Sequence, residues 1–114
     1  MTIFGKYTKE DFKYPLKKDP EVYWTFRYPT SDDEITIERL YRSNPTRLEV
    51  MTAELALTFA ESNIAVLGEE EHFIKATEDY FTRLQKIRQL PRELVIELAF
   101  ALNDFNEEWG AVKE

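Results

Sequence analysis

Tyr23-Trp24-Thr25-Phe26-Arg27-Tyr28-Pro29-Thr30-Ser31-Asp32-Asp33-Glu34 is an alternating aromatic segment that runs into a proline and then into a helix start. With a period of two, Trp24, Phe26 and Tyr28 share one face of a strand, and Tyr23, Thr25 and Arg27 share the other. Pro29 ends the strand. Ser31 followed three residues later by Glu34 has the form of a capping box, in which each side chain bonds the other residue's backbone N–H. The stretch divides the chain. Residues 1–30 read as extended or β, and residues 31–114 as a helical body.

Upstream, Phe12, Tyr14 and Leu16 alternate, Lys17-Lys18-Asp19-Pro20 offers a turn, and Val22 joins the alternation of Trp24, Phe26 and Tyr28. This is a hairpin pattern. Pro15 lies inside the first strand and has no N–H to give a ladder, which confines that segment to a sheet edge or a loop.

Downstream, helix one is predicted over Asp32–Arg42, with Ile35, Ile37, Leu40 and Tyr41 apolar and Ser43-Asn44-Pro45 as its stop. Thr46 with Glu49 forms a second capping box and opens helix two. Leu48, Met51, Leu55 and Phe59 step along one face of it, and Val50 and Leu57 widen the stripe. Asn63, a residue that tolerates positive φ, is the expected stop. After the connector Ile64–Gly68, helix three is predicted over Glu69–Gln89. Glu69, Glu70 and Glu71 sit at its start and Arg83, Lys86 and Arg88 at its end, which suits the helix dipole. Its stripe is Phe73, Thr77, Tyr80, Phe81, Leu84 and Ile87. Pro91 opens helix four, whose stripe is Leu94, Val95, Leu98, Leu102, Phe105 and Trp109, with Gly110 as its stop. Helices three and four, so closely joined, are expected to pair antiparallel, with helices one and two across them. The predicted fold is mainly α: one compact domain over residues 1–114, of about four helices with a small N-terminal β-hairpin element.

Composition excludes several classes of function. No cysteine is present, which removes disulfides, thiolate metal sites and cysteine nucleophiles and fits a reducing cytoplasm. Met1-Thr2-Ile3-Phe4-Gly5-Lys6 lacks the apolar run of a secretory signal. No stretch reaches the ~18 apolar residues of a membrane span, so no membrane partner is expected. The net charge of −7 is uneven: residues 1–30 carry six basic and four acidic groups, and residues 31–114 carry nine basic and eighteen acidic. Lys6, Lys9, Lys13, Lys17, Lys18 and Arg27 interleave with aromatics as in single-strand binders. Yet Glu10, Asp11, Asp19 and Glu21 lie among them and the body has the wrong sign, so nucleic acid is not an expected partner.

Catalytic constellations are equally scarce. His72 is the sole histidine, too few for a common zinc site, and reads as solvent-facing. Glu93 and Glu97 share a helical face, but no Asp-x-Asp, Glu-x-x-His or glycine-rich loop accompanies them. They read as a solvated face, as do Glu78-Asp79 and Glu107-Glu108. Gly5, Gly68 and Gly110 are never clustered, and no serine sits in a Gly-x-Ser-x-Gly elbow. The expectation is a non-enzyme with no cofactor and no metal.

A second phrase, Glu54-Leu55-Ala56-Leu57-Thr58-Phe59 followed by Ser62-Asn63-Ile64, completes a pattern with Trp24 and with Pro29-Thr30-Ser31-x-Asp33-Glu34. Together the two phrases resemble the small tail assembly chaperones of long-tailed bacteriophages, over roughly residues 20–65. The first twenty residues and helices three and four carry no part of the likeness. The resemblance implies a chaperone that associates with the tape measure protein, and further with tail tube protein. It keeps the tape measure soluble in the cytoplasm of the bacterial host until the tube polymerises. Many family members are also made in a longer form by a ribosomal frameshift. Self-association is expected with it. The alternative class is a small phage structural or adaptor subunit, or an acidic inhibitor of a host protein. For the aromatic strand two readings stand. Its face either closes the core on the helices or stays partly open to a partner. On the second reading the binding residues are Trp24, Phe26, Tyr28, Leu57 and Phe59.

Overall fold

The computed structural model describes residues 10–64 and 73–106. Along them run β1 (Phe12–Pro15), β2 (Tyr23–Phe26), α1 (Ser31–Tyr41), α2 (Arg47–Thr58), β3 (Phe59–Ser62), α3 (Tyr80–Ile87) and α4 (Arg92–Phe105). Helices dominate, beside one antiparallel sheet in the order β1-β2-β3. His72, the acidic run at Glu69–Glu71, Gly68, Glu107-Glu108, Trp109 and Gly110 lie outside the described residues.

The predicted hairpin forms. Phe12 pairs with Phe26 and Tyr14 with Trp24, and the Leu16 N–H donates to the Val22 carbonyl at 2.9 Å to close the turn. Pro15 sits on the outermost strand, where its missing donor leaves no ladder position empty.

Helix one begins one residue before the expected start. Its N-cap is Thr30, whose hydroxyl accepts from the Asp33 N–H at 3.3 Å while the Asp33 carboxylate accepts from the Thr30 N–H at 2.8 Å. Ser31 and Glu34 are exposed. Either register satisfies the box pattern. Arg27 decides for the earlier one by holding Asp33 through both carboxylate oxygens, at 2.9 and 3.3 Å. The second box is where the sequence places it: Thr46 N–H to the Glu49 carboxylate at 2.9 Å, and Glu49 N–H to the Thr46 hydroxyl at 3.1 Å. Between the helices Asn44 takes φ of 56°, the left-handed region that Asn tolerates better than most residues.

α2 is the centre of the molecule. Every residue from Val50 to Phe59 is buried, as expected of a helix enclosed on all sides. Its polar residues adapt locally: the Thr52 hydroxyl donates to the Leu48 carbonyl at 3.0 Å and the Thr58 hydroxyl to the Glu54 carbonyl at 2.7 Å. α1, α3 and α4 all pack on α2, and α3 and α4 make no comparable contact with each other. The expected α3–α4 pair is therefore replaced by a shared central helix.

Two further expectations are corrected. Helix two does not run on to Asn63. It stops at Thr58, and the chain turns extended at Phe59 (φ −67°, ψ 129°) to become β3. β3 pairs with β2, Trp24 opposite Ser62 and Phe26 opposite Phe59, with a bulge between Thr25 and Phe26. The open edge of β2 supplies the hydrogen bonds that draw these residues out of the helix. Asn63 serves instead as a clamp, accepting from the Tyr23 N–H at 2.8 Å and donating to the Glu21 carbonyl at 2.8 Å. Helix three is likewise shorter. Residues 73–79 form turns, because Glu78 accepts from the Lys75 N–H at 2.7 Å and Asp79 caps α3 by accepting from the Thr82 N–H at 2.8 Å. α4 ends at Phe105, with Asn106 extended after it.

Candidate partner-binding surfaces

The structure brings four of the five expected anchor residues together, in the core. Trp24 and Phe26 are fully buried, Phe59 is 2% exposed and Leu57 6%. Trp24 meets Phe59 edge-on, their ring centroids 5.0 Å apart, and the Trp24 indole N–H has no acceptor, so packing alone holds it. These four side chains cannot touch a partner while the domain is folded. On the face of β2 that they define, Phe26 stacks against Phe105 of α4, and Trp24 and Phe26 share one buried cluster with Leu55, Ala56 and Leu98, so the face does not stand open. Alternation identifies a face but carries no information about what lies over it.

Tyr28 is different, being half-buried. It meets Phe105 edge-on at 6.0 Å. Phe105 in turn stacks on Phe12 at 5.8 Å and on Phe26 at 6.3 Å, and Phe12 stacks on Phe26 at 6.3 Å. The result is an aromatic ledge with its root in the core and its lip at Phe12, which is 39% exposed. The hairpin and the end of α4 build it jointly. Phe12 and Phe105 were not among the expected binding residues, and the only signal for Phe12 was its alternation with Tyr14.

Beside the ledge, Glu97 ties the hairpin to α4. It accepts from the Tyr14 hydroxyl at 2.6 Å and from the Lys17 N–H at 3.0 Å. Burial raises the Tyr14 phenol, and the Glu97 contact raises it further, to about 12. For Glu97 burial acts upward, but the Tyr14 bond, the Lys17 amide and the charges of Lys17 and Lys18 outweigh it and hold the carboxyl below its ordinary value. Glu97 is thus a structural tie and not part of a solvated face. Glu78 and Asp79 are also engaged, Glu78 in an ion pair with Lys86 and Asp79 as the α3 cap. Among the described residues no three acidic or histidine side chains converge as metal ligands, and no helix is long and apolar enough to cross a membrane.

A groove of about 390 Å³ lies where the start of α2, the end of α3 and the start of α4 meet. Ile87 and Val95 are buried in its wall, Leu90 is half-buried and Leu48 is 40% exposed at its lip. Arg88 and Arg92 border it. Sequence reasoning assigned Leu48 and Ile87 to the buried stripes and gave no sign of a cleft between them.

No family model, curated protein or solved structure matches this chain significantly.

Proposed function

We propose that this protein is a non-catalytic assembly chaperone of a bacteriophage tail, acting in the cytoplasm of the bacterial host. Its client is the tape measure protein, with tail tube protein as a further partner. The observation that carries this reading is the way the two family-like phrases fit together. β2 from the first phrase pairs with β3 from the second. The Arg27 N–H donates to the Thr58 carbonyl at 2.7 Å, Trp24 packs on Phe59, and Asn63 clamps Tyr23. Residues that carry the resemblance are therefore mutual contacts of one folding unit, which is the kind of constraint that keeps such a pattern together.

The aromatic ledge is the surface offered to the client. An extended helical client carries apolar stripes that need cover until assembly, and large aromatic side chains supply much contact area with little ordering. The acidic body, with a net charge of −7, keeps the complex dispersed.

Co-expression with the tape measure protein of the same phage tests this. Capture of that protein, an increase in its soluble fraction, and loss of both with Phe12→Ser are the expected results. If the folded wild type captures no tail protein, the chaperone reading fails, and an adaptor subunit or an acidic inhibitor takes its place.

A further inference from the structure

Among the described residues the half-buried cations are Arg27, Arg83 and Lys86. A charge taken out of water is costly unless an opposite charge accompanies it. Arg27 is paired with Asp33, and Lys86 with Glu78. Arg83 forms no ion pair with a described residue. Its one hydrogen bond runs from Nη1 to the Phe59 carbonyl at 3.5 Å, too long to be a strong one. Its Nε is shielded from solvent and has no acceptor. Arg83 thus carries a charge into the protein with almost nothing to meet it.

Its surroundings add a second cation. The Arg27 N–H donates to the Thr58 carbonyl at 2.7 Å, one residue before Phe59, so both arginines meet the chain where α2 passes into β3. Burial, and then the charge of Arg27, hold the Arg83 guanidinium below its ordinary value. Asp33, Asp79 and Glu78 act the other way without reversing it. Each of these carboxylates is already engaged. Asp33 holds two Arg27 nitrogens and the Thr30 N–H, Asp79 caps α3 through the Thr82 N–H, and Glu78 pairs with Lys86. Arg27, Arg83 and Asp33 together leave a local excess of one positive charge, on a chain whose net charge is −7. The Arg27 side chain is 32% exposed, so solvent reaches this pair.

The geometry points to a binding site for a carboxylate group of another molecule, held between the guanidinium groups of Arg83 and Arg27. A guanidinium is a planar fork of N–H donors that matches the two oxygens of a carboxylate, and all but one of the Arg83 donors are unused. One negative charge neutralises the local excess. A dianion such as phosphate overshoots it, with the buried Asp33 carboxylate beside Arg27 to repel it. The carboxylate belongs either to a free organic acid or to an acidic side chain of a protein, and the chemistry at the site is the same for both. The site goes beyond the chaperone reading and its test needs no client, so the two fail separately.

Arginine side-chain NMR on the full chain tests it. The probes are acetate, a capped peptide with a single glutamate, and inorganic phosphate, all at constant ionic strength. The Nε–H resonances of Arg83 and Arg27 are expected to shift together and saturably with acetate or the peptide, and less with phosphate. Arg83→Gln weakens the response at Arg27 about tenfold or more, as loss of one partner of a hydrogen-bonded charge pair does. Arg83→Lys keeps the charge, loses the fork and weakens the response as well. Without the probes Arg83→Gln melts no lower than wild type, because it removes an unpaired charge, which separates a binding residue from a structural one. A tighter response to the peptide than to acetate gives the site to a protein side chain, and an equal response gives it to a free acid. No saturable shift with acetate or peptide overturns the proposal. So does an unchanged response in Arg83→Gln, or phosphate binding more tightly than either carboxylate. Arg83→Gln melting well below wild type makes Arg83 a structural cation and overturns it too.

Discussion

Arg27 holds Asp33 with two guanidinium nitrogens, at 2.9 and 3.3 Å, and so ties the end of the aromatic strand to the first turn of α1. The same carboxylate closes the capping box with Thr30. One side chain thus sets both the start of the helix and its attachment to the sheet.

Asp33→Ala removes both functions and is expected to lower stability by about 2 kcal/mol, the upper range for a lost cap that also leaves a donor unpaired. Thr30→Ala costs about 1 kcal/mol. Ser31→Ala, one residue away, stays within about 0.5 kcal/mol. Urea denaturation midpoints of the three variants rank them, and an equal loss at Ser31 and Thr30 would contradict the cap register.

Trp24→Ala and Phe59→Ala open a void at the most enclosed contact in the molecule and are expected to destabilise by about 3–5 kcal/mol, enough to unfold a small domain. Near-ultraviolet circular dichroism reports the loss. Phe12→Ser leaves the signal largely intact, because Phe12 is already 39% exposed. If Trp24→Ala stays folded yet captures less of the proposed client, Trp24 is an anchor.

Much of this is legible in the sequence alone. The hairpin followed from alternation around a turn, the place of Pro15 from its missing donor, and the α2 start from Thr46 and Glu49. The rest depended on tertiary neighbours. Phe59-Ala60-Glu61-Ser62 continues the helical stepping of Leu55, and only the open edge of β2 makes it a strand. Asp79 is one acid among several, and nothing local marks it as the α3 cap. The burial of Trp24, Phe26, Leu57 and Phe59 depended on what covers their face, which residue order does not encode. For the same reason the ledge at Phe12 and Phe105 was invisible, since its members lie at opposite ends of the described chain.

The Tyr14–Glu97 pair predicts pH dependence at both extremes. Glu97 titrates below its ordinary 4.5 in the folded chain. Its stabilisation is therefore present above the unfolded value and is lost as pH falls through the folded one. Tyr14 titrates at about 12 against an ordinary 10.0, so its part is full below the unfolded value and lost as pH rises through the folded one. Glu97→Gln flattens the acid limb and Tyr14→Phe the alkaline limb, as read by thermal melts across pH. Unchanged limbs in both variants would refute the tie.

Asn44, at φ of 56°, is expected to accept glycine without loss. Asn44→Val is expected to cost about 1–2 kcal/mol, the penalty for a β-branched residue in left-handed backbone. Denaturation midpoints of the two variants separate the effects. An equal response to both would show that the turn relaxes.

α2 passes into β3 with no intervening turn, and this has a consequence for synthesis. A two-stranded hairpin is at best marginally stable in water. β1 and β2 leave the ribosome before the strand that completes their sheet: Ser62 donates its hydroxyl to the Tyr23 carbonyl across 39 residues of chain. Until α1 and α2 have both emerged, Trp24 and Phe26 have nothing to bury themselves in. The nascent chain therefore exposes this aromatic strand before it can bury it, and hides it when helix and strand arrive together.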